Sequence, residues 1–330
     1  MNSMFSFDRD KTGICERNRS LSFIQIVLNL RMKKLLLVAL ILGLFSVGCK
    51  KEKGDSITNA VATGPNLIFK FKFDSTQIRL DNLGNPATLP SGHSGISPVF
   101  NSMSTHYIEL SPDEFTFLGQ GEIAYKGLET TLGGDTAVSF QHALIAENEL
   151  PFLSIPISEI NPGTYRYLRS SLTYQNYDVP VRHLSYDLNM TLASFVGFNT
   201  HLTDVLVKTK VHLVNANKLQ GYWIFEIDDS GFPITIPTEE GQAPAGATTV
   251  PNPLFASSPI PAGSCVVTGE FPTPLSITGN ESEDITITLS VSINQSFEFI
   301  DATGDGIFEP AAGDTVVDMG IRGMIPYVNL

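Results

Sequence analysis

From Leu67 onward, apolar and polar positions alternate along the chain. In Leu67-Ile68-Phe69-Lys70-Phe71-Lys72-Phe73-Asp74 the residues Phe69, Phe71 and Phe73 fall on one face and Lys70 and Lys72 on the other. That period of two is the mark of a half-buried strand. The same reading applies to Ala137 to Leu144, Tyr165 to Tyr174, Val205 to Val214, Tyr222 to Ile227, Ile285 to Ile293 and Phe297 to Ile300, all rich in aromatic and β-branched residues. Turn chemistry separates them at Asn82-Leu83-Gly84-Asn85, Gly133-Gly134-Asp135, Asn161-Pro162-Gly163, Asn215-Ala216-Asn217 and Thr278-Gly279-Asn280. No long stretch combines helical spacing with caps. The nearest, Leu192 to Leu206, is interrupted by Gly197, Asn199 and Thr200. Short strands at regular spacing predict an all-β, β-sandwich-like body over residues 65–330. Seven prolines fall between Pro233 and Gly263, and the Pro/Gly-rich stretch Gly241 to Gly263 separates two strand sets, 65–232 and 264–330. This stretch is either a domain boundary or a long ordered loop.

The first 64 residues follow a different pattern. Met32-Lys33-Lys34 is a short basic start, and Leu35 to Phe45 is an unbroken apolar run. The run is shorter than the roughly 20 residues that span a bilayer. A basic start, a short apolar run and then small residues make a signal peptide. Here the run ends in Ser46-Val47-Gly48-Cys49, which resembles the lipobox of bacterial lipoproteins, with Ser46 where Leu is commoner. The resemblance implies a signal peptide over 32–48, a diacylated Cys49 and a protein held to the cell envelope at the outer membrane, facing the periplasm or the outside. Residues 49–64 form a polar tether opening with Lys50-Lys51-Glu52-Lys53. Residues 1–31 precede the signal and carry mixed charge. They reflect either a start assigned upstream of a true Met32 or a long leader.

Charge narrows the range of partners. The chain has 330 residues, 42% hydrophobic and 17% charged, with a formal net charge of -13. Seven of the 21 basic and three of the 34 acidic residues precede Cys49, so the part downstream carries 14 against 31, a net of -17. Such a surface repels phosphate backbones, which argues against nucleic acid as a partner. Of three cysteines only Cys265 lies in the body. Without a second thiol there can be no internal disulfide, so the fold must stand on its core. A buried, inert thiol is the expectation for Cys265.

The sharpest chemical motif is Asp301-Ala302-Thr303-Gly304-Asp305-Gly306-Ile307-Phe308-Glu309. Calcium takes six to eight oxygens, and alternate residues of a tight loop can supply them. Asp301, Thr303 and Asp305 occupy the first, third and fifth places, Gly306 the sixth, and Ile307 would offer its carbonyl; Glu309 could follow directly or through water. The twelfth place is Ala312 rather than the usual bidentate Glu, with Asp314 or Asp318 as substitutes. The competing reading is an acidic hairpin turn whose Asp side chains bind their own backbone.

The six histidines, His93, His106, His142, His183, His201 and His212, form no close pair. Met103-Ser104-Thr105-His106 could offer sulfur and nitrogen to copper. Ser91-Gly92-His93-Ser94-Gly95 does not match a nucleophile elbow, and HExxH, P-loop and GxGxxG patterns are absent. Asp55-Ser56-Ile57, Asp135-Thr136-Ala137 and Asp314-Thr315-Val316 resemble the Asp-Ser/Thr-apolar O-glycosylation sites of exported Bacteroidota proteins, which would modify Ser56, Thr136 and Thr315. The corner Ile160-Asn161-Pro162-Gly163-Thr164-Tyr165 resembles that of extracellular β-sandwich modules. Through Phe69 to Asp74, Leu172 to Asp178, Leu219 to Trp223 and Val317 to Gly323, the chain from Cys49 resembles uncharacterised Bacteroidota lipoproteins. Its early strands are also faintly similar to the copper-binding MbnP-like group, which implies copper as an alternative metal.

Three functions remain open: a non-catalytic binding or structural lipoprotein, a periplasmic copper-handling protein, and a glycan-active surface enzyme. The last requires two carboxylates in a cleft beside Trp223, the one tryptophan of the chain.

Acylation at Cys49 is directly measurable. Intact-mass analysis of the protein from host membranes should show a diacylglyceryl adduct that Cys49→Ala lacks. An unmodified Cys49 in the membrane fraction would exclude the anchor.

Overall fold

A computed structural model describes residues 64–197, 199–228, 238–243, 265–321 and 323–329. Cys49, Ser56 and most of the Pro/Gly-rich stretch lie outside the described residues. Residues Ala62–Leu330 form one compact unit with its own core. The body is all-β, and its helical segments among the described residues are three 3₁₀ turns. In chain order the strands are β1 (Asn66–Asp74), β2 (His93–Ile96), β3 (Val99–Ser111), β4 (Glu122–Lys126), β5 (Glu129–Thr130), β6 (Ala137–Ser139), β7 (Ile145–Ala146), β8 (Pro151–Pro156), β9 (Gly163–His183) and β10 (Tyr186–Phe195). They continue as β11 (Thr200–Leu206), β12 (Val211–Lys218), β13 (Tyr222–Ile227), β14 (Glu239–Gln242), β15 (Val266–Ile277), β16 (Ile285–Ser292), β17 (Phe297–Ile300), β18 (Thr315–Met319) and β19 (Met324–Asn329).

The largest sheet is built on β9. This 21-residue strand pairs with β3 along one edge. Its other edge is shared: β15 takes Gly163 to Ser171 and β10 takes Tyr174 to His183. The changeover sits at Leu172 and Thr173, whose backbone bonds go to Cys265 and Val196. Gly197 closes the gap there, because a Cβ would lie 2.1 Å from the Leu172 carbonyl oxygen. Beyond β10 the sheet runs through β13 to its edge at β14.

A second sheet has the order β19-β16-β1-β8. Its central pair, β1 and β16, is parallel and joins Leu67 to Ile285 at one end and Asp74 to Ser292 at the other. The two strand sets seen in the sequence are therefore interleaved: β16 pairs with β1, and β15 pairs with β9. Leu67, Phe69 and Phe71 of β1 are fully buried, while Lys70 and Lys72 face outward. They pack with Ile287, Leu289 and Val291 of β16 and Ile108, Leu110, Leu168 and Leu172 of the large sheet in one continuous core. A smaller core of Tyr174, Phe195, Leu202, Val205 and Ile224 lies on the other face of β9–β10–β13. It is closed by the sheet β12-β11-β6-β5.

Three local expectations are corrected. Val205 to Val214 is not one strand: the chain reverses over Val207 to Lys210 between β11 and β12, where Glu226 accepts the amides of Lys208, Thr209 and Lys210 at 3.2, 3.0 and 3.1 Å. That turn is held by a side chain 16 to 18 residues away, so no local pattern marks it. Asn215-Ala216-Asn217 is not a turn but a bulge within β12, with Asn215 at φ 48°. Ala137 to Leu144 leaves the sheet after Ser139 into a 3₁₀ turn.

Phe71 is fully buried and stacks on Phe152 with centroids 4.9 Å apart. Phe71→Ala should therefore cost about 3–5 kcal/mol, read by chemical denaturation of the body.

Candidate functional site

The sequence makes both faces of β13 apolar. Tyr222 and Ile224 enter the smaller core. Trp223, Phe225 and Ile227 point the other way, and the strand beside them continues the surface, with Leu192 opposite Phe225 and Met190 opposite Ile227. With Val181 of β9 they form one wall of a cleft of ≈ 730 Å³. The facing wall comes from the three-stranded sheet β18-β17-β2 and the loop joining β17 to β18: Phe297, Val316, Met319 and Phe308. Ligand sites in proteins commonly have about 300–1,000 Å³ and mostly apolar walls.

Two features order the aromatic wall. Trp223 and Phe225 lie nearly parallel, centroids 5.7 Å apart at 12°. Gly241 of β14 sits opposite Trp223, and a Cβ on it would come within 2.4 Å of the indole Cζ2. The indole therefore lies flat against the Gly241 backbone. The facing sheet is held by Glu298 of β17, a buried carboxylate that receives Arg79 and meets His93 Nδ1 at 2.5 Å.

Polar groups are few and most are engaged. Arg182 donates from Nε to Asp187 at 2.6 Å and lies 3.8 Å from Glu309. This hydrogen bond holds the Asp187 carboxyl below the usual carboxylate range. Asp314 is buried, and its two oxygens accept the amides of Ala302 at 2.9 Å and Glu309 at 2.7 Å. Glu239 is exposed at the rim, opposite Phe225 in register. It makes no hydrogen bond or ion pair with a described residue.

The acidic loop predicted as a calcium site forms part of this cleft, through Phe308, Pro310 and Asp314. Its side chains turn inward onto the chain. Asp301 accepts Ser94 Oγ at 2.8 Å, the amides of Gly306 at 2.8 Å and Gly304 at 2.6 Å, and Thr303 Oγ1 at 3.2 Å. These bonds, that from Ser94 first, hold its carboxyl down at about 2. Asp305 accepts the Ile307 amide at 2.9 Å. The loop is tied to β9 by the Arg182 amide donating to the Phe308 carbonyl at 2.9 Å. This is the self-bonded turn pattern, and among the described residues no three His, Cys, Asp or Glu side chains converge as metal ligands.

The other predicted residues fall elsewhere. Met103 is fully buried in the main core, and His106 meets Thr173 Oγ1 at 3.0 Å, its pKa lowered by burial. Cys265 is buried, and burial pushes its thiol up to about 12, far from a reactive thiolate. Thr136 is exposed away from the cleft, and Thr315 is exposed on its lining. Two carboxylates, Glu239 and Asp314, do border the cleft beside Trp223. Asp314 is committed to two backbone amides, so the pair lacks a second free member for glycoside chemistry.

Of the aromatic and aliphatic residues on the β10–β13 wall of the cleft, the sequence pattern marks Trp223 alone. The alternation of Met190, Leu192, Phe225 and Val316 predicts burial, which holds for Met190 and Leu192, whereas Phe225 and Val316 are half-buried. Comparison with known proteins yields no match: no family model, no curated protein and no solved structure aligns with the chain.

Asp314→Ala frees two amides that hold the loop closed and should lower stability by about 1–2 kcal/mol, read by denaturant unfolding. Acid should loosen the same loop. The Asp301 carboxyl is depressed on folding, so its contribution is complete above pH of about 4 and lost as pH falls through about 2. Amide exchange at Gly304 and Gly306 checks this: protection that persists unchanged below pH 2 would contradict it.

Proposed function

We propose that this chain is a cell-envelope lipoprotein whose β body binds an apolar ligand, without catalysis, in the cleft walled by Trp223 and Phe225. The observation that carries the reading is the cleft itself. A cleft of ≈ 730 Å³ is lined by the half-buried Trp223, Phe225 and Val316 and by Met190, Leu192 and Phe308 of the main core, so its walls among the described residues are apolar. Burying apolar area there is worth about 25 cal/mol per Å² removed from water. The signal-like segment ending at Cys49 supports an envelope location. The engagement of Asp314 by backbone amides favours binding over hydrolysis. A cation in the Asp301–Glu309 loop remains compatible with this role, as a brace for one wall.

The lone tryptophan makes the test direct, since all indole emission comes from the cleft. N-phenyl-1-naphthylamine, an uncharged apolar fluorophore, should bind the body comprising residues 62–330 and quench Trp223 by energy transfer. Val316→Asp, which places a charge on the facing wall, should weaken this by at least about tenfold, the effect of some 1.4 kcal/mol for a carboxylate brought into an apolar site. Absence of energy transfer, or transfer unaltered by Val316→Asp in a folded protein, would discard the binding reading.

A further inference from the structure

We infer that the cleft selects amphiphiles with an apolar chain and a cationic head, and that Glu239 is the residue that selects them. The inference rests on the binding reading above and adds the charge of the ligand.

The charges at the cleft point one way. Arg182 is the one basic side chain with a permanent charge among the described lining residues. It is already compensated by Asp187 at 2.6 Å and Glu309 at 3.8 Å, and the Asp305 carboxylate also acts on it. An anionic head would have to displace these carboxylates. Asp314 is turned away onto two backbone amides. Glu239 alone offers a carboxylate with no partner among the described residues, and it stands at the open rim.

The register supplies the second part of the argument. Glu239 is the cross-strand neighbour of Phe225, and Gly241, two residues on, is the neighbour of Trp223. The carboxylate therefore stands at the edge of the stacked pair of rings. An aromatic face beside an anion attracts an alkylammonium group through the ring quadrupole. The apolar chain would follow the wall of Phe225, Leu192 and Met190 inward toward Phe297.

Three decyl amphiphiles, titrated below micelle formation against Trp223 emission of residues 62–330, separate the possibilities. Decyltrimethylammonium should bind about 3–10-fold tighter than uncharged decyl maltoside, the size expected for one carboxylate in a water-exposed rim, and decanoate should bind weakest. Glu239→Gln should erase the advantage of the cation over decyl maltoside. The advantage should also shrink as salt rises. Equal or tighter binding of decanoate would overturn the inference, as would a cation preference that survives in Glu239→Gln. These results differ from failure of the binding reading itself, in which none of the three amphiphiles, nor N-phenyl-1-naphthylamine, would alter Trp223 emission.

Discussion

Strand β9 is the constraint on which the rest of this protein depends. An isolated 21-residue strand has two unpaired edges and two faces to cover. Here β3 takes one edge, β15 and β10 divide the other, and the faces separate two cores. From Tyr174 onward alternate residues go to different places. Tyr177, Val179 and Val181 enter the main core, whereas Tyr174 packs with Phe195 in the smaller one and Asn176 donates to the Val207 carbonyl. Sliding β9 by one residue would exchange these sets, so its register is strongly specified. The cost of the arrangement is visible at the handover point, where only glycine fits at position 197.

The cleft follows from that architecture. Beyond β10, β13 has the smaller core on one side, which commits Tyr222 and Ile224. Its other side borders both the main core and the cleft. Trp223 and Phe225 are therefore only half-buried, although their composition suits a core strand. The β17–β18 hairpin approaches from the far side, and its acidic loop is kept rigid by Asp301 and Asp314 bonding to backbone amides. An aspartate that accepts amides and an aspartate that binds calcium need the same local geometry, with oxygens turned into a tight loop. The spacing of Asp301, Thr303 and Asp305 is thus satisfied by the self-bonded turn without any ion being required.

Buried charge is confined to places where it fixes one element against another. Glu298 joins β17 to Arg79 and His93 from the opposite end of the chain. Glu109 accepts the amides of Gly119 and Gly121 and lies 3.7 Å from the fully buried Arg169, whose Nη2 donates to the Glu114 carbonyl at 3.2 Å. Removing one partner from such a pair is strongly destabilising, while the pair as a whole adds little net stability. Their contribution is positional: the first braces the facing wall of the cleft, the second shapes the loop after β3.

By itself the sequence determined the β character, the strands from Leu67, Tyr222, Ile285 and Phe297, and the turns at Asn82, Gly133, Asn161 and Thr278. Each of these is a local property, carried by a period of two or by a residue that tolerates a tight turn. It also marked Trp223 and the Asp301 loop as unusual. Only the tertiary structure decided that β1 pairs in parallel with β16 across more than two hundred residues, that the segment after Val205 reverses under the hold of Glu226, and that Trp223 and Phe225 stay half-buried where the main core borders a cleft. The reason is physical. Alternation states which residues leave water but not what covers them, and that depends on which edges pair, a choice made between segments far apart in the chain.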